Sequence, residues 1–319
     1  MAATSSDVRV YAIGLRTRFR GIDVREGVLI EGPNGWGEFA PFAEYGPEEC
    51  RPWLRAAQEA AFGTWPAPVR DRIPVNVTVP ACDPARAFEI VAASGCRTAK
   101  VKVAERGQSL ADDLARVEAV RDALGPAGRI RVDANGGWDT DEAVAAIALL
   151  HRFELEYVEQ PCATVPELAA VRRRVDVPVA ADESIRRAED PLLVAKAGAA
   201  DIAVVKVAPL GGVRAALEIV DAIGLPAVVS SAIDTSVGIA AGVALAAALP
   251  ELPYACGLAT VALLHDDVVA DPFLPIDGHL TVRRPTPDPA RLDAVAASPE
   301  TAARWHERIA AVERVEQNR

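Results

Sequence analysis

Three lysines and three acids stand on short apolar runs of this 319-residue chain. The runs are Thr98-Ala-Lys100-Val-Lys102, Val132-Asp133-Ala-Asn135, Val158-Glu159-Gln-Pro161, Ala181-Asp182-Glu183-Ser184 and Val204-Val-Lys206. Alternate residues of a strand share a face, so Lys100 and Lys102 point the same way. Asp133, Glu159 and Asp182 with no histidine or cysteine beside them make a hard oxygen set. Such a set suits Mg2+, for which Mn2+ can substitute, and not zinc. A lysine desolvated beside that cation loses its proton more readily and can act as general base. The metal would hold a substrate carboxylate and stabilise the enediolate formed when the neighbouring carbon loses a proton.

The acids and the last lysine follow one another about two dozen residues apart, the length of a strand, a helix and two short loops. Apolar strand cores begin near Val75, Thr98, Ile130, Leu155, Val177, Ile202, Ala227 and Ala255. Helical patterns lie between most of them. Ser109 caps one with Leu110, Leu114, Val117, Val120 and Leu124 on a single face; others span 139–150 and 164–175. Strands apolar on both faces fit a parallel sheet covered by helices. The expected architecture is an α/β fold of (β/α)8 type with its last unit modified, over residues 73–319, with the active site at the C-terminal strand ends. Residues 1–72 read differently, as a strand meander followed by a helix that starts at Gly46-Pro47. They are expected to form an α+β capping domain joined by part of the C-terminal tail. After Leu258 the periodicity fades into a proline-rich loop until a terminal helix at 298–316.

A formal net charge of −11 argues against a nucleic-acid surface. The longest apolar stretch, 237–249, is too short for a membrane span and reads as a helix buried against a sheet. Five scattered cysteines without a C-x-x-C pair, and no signal-like segment in residues 1–7, predict a reduced cytoplasmic protein. It is expected to act, as a monomer or homo-oligomer, on a small-molecule carboxylate. His151, His265, His279 and His306 fall away from strand ends and read as packing or surface residues.

Taken together, Lys100-x-Lys102, Asp133-x-Asn135, Glu159, Asp182-Glu183 and Lys206 resemble the enolase superfamily, and Gly35-Trp-Gly-Glu-Phe-Ala-Pro41 resembles its capping domain. A lysine base with Mg2+ over an ene-diolate is already the general description of such sites. Lysines on opposite sides place the resemblance in the muconate-lactonizing-like branch. The segment Ser230-Ser231-Ala-Ile-Asp234-Thr-Ser236-Val-Gly238 is similar to o-succinylbenzoate synthases. That resemblance implies dehydration of 2-succinyl-6-hydroxy-2,4-cyclohexadiene-1-carboxylate. Lys102 would take the proton and assist loss of hydroxide, Lys206 would stabilise the enediolate, and Lys100 would bond the metal-bound carboxylate or tune Lys102. Ser230, Ser231 and Gly257 would hold the succinyl tail, with Arg131 pointing inward to meet a carboxylate. Asn135 and Glu183 would stand behind the metal ligands and orient them. The competing readings are an N-succinylamino-acid or dipeptide racemase, which uses the same two lysines, and a non-catalytic binding barrel.

Two finer expectations follow. Lys100 should lower the pKa of Lys102, while Lys206, with only Val204 two residues before it, should stay protonated. The short segment 16–25 should be a mobile lid that orders over the site.

Overall fold

The computed structural model describes residues 8–19, 21–186 and 190–317. Residues 1–7, read for an export signal, and Arg20, inside the expected lid, lie outside them. Alternation builds the first sheet. Tyr11, Ile13, Leu15 and Phe19 are buried along β1 (Val8–Phe19), which pairs antiparallel with β2 (Ile22–Gly32), itself paired with β3 (Gly35–Phe39). Helix α1 (Pro47–Phe62) covers this sheet with Cys50, Trp53, Leu54, Ala57 and Ala61 at helical spacing. The approach is close enough to require glycine: a Cβ on Gly37 would lie 1.9 Å from the Ala57 carbonyl oxygen.

Next comes β4 (Arg72–Pro74), then the parallel series: β5 (Val77–Val79), α2 (Pro84–Ser94), β6 (Thr98–Lys102), α3 (Leu110–Leu124), β7 (Arg129–Asp133), α4 (Thr140–Leu150), β8 (Leu155–Glu159), α5 (Val165–Arg172), β9 (Val179–Ala181), short α6 (Glu183–Arg186) and α7 (Leu193–Lys196), β10 (Ile202–Val205), α8 (Val207–Leu210), α9 (Val213–Ile223), β11 (Ala227–Val229) and α10 (Ser236–Ala248). Strands β5 to β11 lie side by side in chain order. The eighth strand is reduced to single bridges, Cys256 to Val75 and Gly257 to Ser230. The Cys256 N–H donates to Pro74 (2.7 Å) and that of Gly257 to Val229 (2.8 Å), which closes the circle. The fold is the expected barrel with a modified last unit. Inside it, Tyr157, Ala180, Ile202, Val204 and Val228 fill the floor beneath the strand ends.

The tail departs from a plain loop. Residues 279–281 form β12 (His279–Thr281), antiparallel to β4, and α11 (Pro289–Ala294) follows. Three-residue strands are too short for alternation to register in a sequence. The terminal helix α12 (Pro299–Gln317) returns to the N-terminal unit: Trp305 meets Phe39 edge-on at 5.9 Å, and the Arg308 guanidinium donates to the carbonyls of Pro41, Phe42 and Tyr45. Among the described residues no helix is long and apolar enough to cross a membrane.

The N-terminus of α10 ties these parts together. Glu38 on β3 accepts from the Thr235 N–H (3.1 Å), the Gly238 N–H (2.9 Å), the Thr235 hydroxyl and the Tyr11 hydroxyl (2.7 Å). Asp267 from the tail accepts from the Ser236 N–H (3.1 Å) and hydroxyl. Burial, and then the Asp234 carboxylate, push Glu38 from an ordinary 4.5 up to about 7 against the pull of its donors. The fold therefore favours the protonated acid. That contribution to stability is complete below about 4.5 and is lost as pH rises through about 7. Wild-type stability measured against Glu38→Gln by urea unfolding should fall across that window by roughly 1–3 kcal/mol. A difference independent of pH would show that Glu38 ionises normally.

Candidate active site

Parallel strands in register bring their last residues to one rim. Lys102 pairs with Asp133 and Asp133 with Glu159 across β6, β7 and β8. Asp182 follows β9 directly, and Lys206 follows β10 as the first residue before α8. All five side chains are buried. The backbone turns sharply just beyond, with Asn135, Gln160 and Ile233 in the left-handed region.

Charge pairs each acid with a cation. The Lys100 ammonium donates to Asp133 Oδ2 (2.8 Å) and Glu159 Oε1 (2.7 Å). Lys102 donates to the same Asp133 oxygen (2.6 Å) and to Asn135 Oδ1 (2.5 Å). Across the cavity Lys206 donates to Asp182 Oδ2 (2.5 Å), while Arg186 donates to Asp182 Oδ1 (3.0 Å), to Glu183 and to the Tyr45 hydroxyl of the N-terminal unit. Asn135 Nδ2 donates to Glu183 Oε1 (3.2 Å), so the two residues expected behind the ligands do bond each other. Burial would raise Asp133, but the Lys100 and Lys102 ammoniums outweigh it and hold the acid well below its usual range. Burial likewise opposes ionisation of Asp182, yet Lys206, Arg186 and Lys100 keep it low. Glu159 is pushed up to about 7 by burial and by the Asp133 charge.

Lys206 was expected to stand without a cationic neighbour, and the structure differs. Lys206 does have a cationic neighbour: Arg186, on α6, shares Asp182 with it. Burial lowers Lys206, Asp182 opposes, and Arg186 adds to the lowering. Lys100 is driven the other way; burial would lower it, but Asp133 and Glu159 prevail and raise it. This neighbour comes from the helix after β9 and not from the Lys206 strand, so strand periodicity does not reveal it.

Lys102 and Lys206 face one cavity whose wall includes Ser230, Ser231, Gly257, Thr260, Phe19, Phe42 and Ile233. Ser231 Oγ donates to the Gly257 carbonyl (2.7 Å) and lies 2.8 Å from Thr260 Oγ1. A Cβ on Gly257 would come within 2.6 Å of Ser230 Oγ, so glycine keeps the eighth strand against the seventh. Arg131 does meet a carboxylate inside the barrel, but it is that of Glu156 and not the substrate's. Arg131 points into the barrel but is fully buried one layer below the cavity. Its Nε donates to Glu156 (2.5 Å) and its Nη1 to the Ala255 carbonyl (2.6 Å), with Tyr157 stacked at 4.7 Å. Glu156, near the start of β8, holds it at the floor. Within the expected lid, residues 16–19 belong to β1 and residues 22–25 to β2. Phe19 lies 5.2 Å from the Lys102 ammonium.

The sequence reading missed Gln160, Arg186, Thr78 and Thr260. Gln160 Oε1 accepts from the N–H groups of Asp182 (3.0 Å) and Ser184 (3.2 Å), fixing the turn after β9. Its place next to Glu159, and the four-residue spacing of Arg186 from Asp182, were the available signals.

The donor set fits a hard divalent cation. Glu159 Oε2 and Glu183 Oε2 are buried with no hydrogen-bond partner, and a spare carboxylate oxygen is the kind of ligand such a cation takes. Among the described residues no three acids crowd round one point closely enough to grip an ion; the lysine ammoniums lie on the carboxylate oxygens instead.

Residues 84–289 match the model of enolase C-terminal domain-like proteins, and residues 10–61 that of enolase N-terminal domain-like proteins. The chain is 69% identical to o-succinylbenzoate synthase of Thermobifida fusca (strain YX), covering 95% of each chain. It is 60% identical to o-succinylbenzoate synthase of Mycolicibacterium smegmatis, covering 95% of this chain and 94% of that one. The crystal structure of muconate lactonizing enzyme from Pseudomonas fluorescens superposes with a TM-score of 0.79 at 23% identity, over 91% of this chain and 98% of that one.

Proposed function

The chain belongs to the o-succinylbenzoate synthases of the enolase superfamily, and on that premise we propose the reaction and the part each residue takes in it. The protein is a lyase that removes water from 2-succinyl-6-hydroxy-2,4-cyclohexadiene-1-carboxylate to give 2-succinylbenzoate, a step of menaquinone biosynthesis. One observation carries the assignment of roles: Lys102 and Lys206 reach a single buried cavity from opposite sides, each anchored to a different acid.

Asp133, Glu159 and Asp182 would hold Mg2+. The ion, when bound, neutralises the substrate carboxylate and the charge that builds on it as the adjacent carbon loses its proton. Asp133, Glu159, Asp182 and Glu183 balance Lys100, Lys102, Lys206 and Arg186 when all are ionised. A divalent cation and a dicarboxylate can therefore enter together without leaving net charge in the cavity, whereas either alone would unbalance it. Lys102 takes the ring proton beside the carboxylate and returns it to the departing hydroxyl on the same face. Breaking that carbon–oxygen bond makes the ring aromatic. Lys206, as ammonium, faces the negative charge that develops on the substrate. Lys100 fixes Asp133 and Glu159 through its two short bonds. Ser230, Ser231 and Gly257 line the wall that would receive the succinyl tail, and Asn135 and Glu183 steady one another behind the acids.

Two opposed lysines are also what racemisation at one carbon requires, so the test uses both substrates. Purified protein with Mg2+ should form 2-succinylbenzoate from the cyclohexadiene and should turn it over far faster than it racemises an N-succinylamino acid. Racemisation as the faster reaction would reverse the reading.

A further inference from the structure

Ile233 lies in the wall of the cavity with φ of +62°, a conformation that β-branched residues rarely adopt. Something must hold it there. Its carbonyl oxygen accepts from Arg25 Nε at 3.0 Å. Arg25 comes from β2 of the N-terminal unit, yet it is only 2% exposed. Its other nitrogens donate to the Ala40 and Glu26 carbonyls, and its guanidinium lies 4.7 Å above the Phe42 ring. The turn is tied at its other end as well: Asp234 accepts from the Ala232 N–H (3.0 Å) and lies 3.9 Å from the same guanidinium. One cation thus grips two pieces of the cavity wall, Phe42 from the N-terminal unit and Ile233 from the barrel.

We propose that Arg25 is a positioning residue that holds the Ala232-Ile233-Asp234 turn in its strained form, so that docking of the N-terminal unit shapes the substrate wall. The inference rests on the reading that this cavity takes the substrate. Arg25 touches no reacting atom and acts through the Ile233 carbonyl. A buried carbonyl losing a charged donor, in a turn already strained, would relax away from the cavity. The consequence is weaker substrate binding rather than slower bond breaking.

The test is a cycle of Arg25→Ala and Ile233→Gly, with Arg25→Lys alongside, at saturating Mg2+. Arg25→Ala should raise KM about tenfold and change kcat less than about threefold. Arg25→Lys, a point charge in place of a planar fork, should recover part of the loss. Glycine takes the left-handed conformation without strain, so in the Ile233→Gly background the same Arg25→Ala change should cost about threefold or less in KM. Hydrogen exchange of residues 231–234 should quicken in Arg25→Ala and in Arg25→Lys, a readout that needs no turnover. An equal penalty in both backgrounds, a loss confined to kcat, or unchanged exchange in that turn would each overturn the proposal. A wild-type protein inactive on the cyclohexadiene would instead overturn the functional reading, and exchange would still decide the role of Arg25.

Discussion

Lys102→Ala is expected to abolish both dehydration and exchange of the substrate's ring proton with solvent deuterium, each by about a thousandfold or more. Both reactions need the same group to take the same proton. Lys102 is placed for this by Asp133 at 2.6 Å and Asn135 at 2.5 Å, and Phe19 shields it at 5.2 Å. The decisive comparison is between two arginine variants at one Mg2+ concentration. Lys102→Arg carries a guanidinium that cannot give up its proton and should be inactive. Lys206→Arg keeps the charge that faces the substrate and should retain some dehydration. Burial lowers Lys206, which makes this comparison sharper, since a lowered lysine is the kind that can serve as a base. Activity kept by Lys102→Arg and lost by Lys206→Arg would exchange the two roles.

Asp133→Asn should lower Mg2+ affinity at least about tenfold and reduce turnover about a thousandfold. Asp133 is the hub of the charge network: two ammoniums and the Asn135 N–H converge on it. The amide removes one anionic ligand and leaves Lys100 and Lys102 without the negative charge they share. Breaking a buried pair in this way costs about 3–5 kcal/mol. Calorimetric titration with Mg2+ should therefore be run beside thermal unfolding, with Glu159→Gln as a second variant. Chelation of the wild type should abolish turnover, and Mg2+ should restore it. Unchanged Mg2+ affinity in both variants would rule out the ligand set.

Most of the barrel was legible because its strands are rich in Val, Ile and Ala and several close on a polar residue, as at Val132-Asp133 and Val158-Glu159. The site residues at the rim were legible for the same reason. Depth inside the barrel was not. Period two says that Arg131 and Asp133 share a face, but not that Glu156 anchors one at the floor while lysines hold the other at the rim. Contacts across the molecule were equally hidden. Arg186 reaches Tyr45, and Arg25 reaches Ile233, through packing that no local pattern encodes. The eighth strand read as a strand from Ala255, yet Gly257 and Cys256 contribute only single bridges.

The crowded start of α10 also limits what this barrel can accept. In many barrels the loops after the seventh and eighth strands, with a helix N-terminus, cradle a phosphate. Here the amides of Thr235, Ser236, Val237 and Gly238 already donate to Glu38, Asp267 and the Thr235 hydroxyl. A phosphoryl group arriving there would find those four amides taken and the side chains of Glu38 and Asp267 in its path. The helix end that in other barrels cradles a phosphate serves here as an internal rivet between the N-terminal unit, the barrel and the tail.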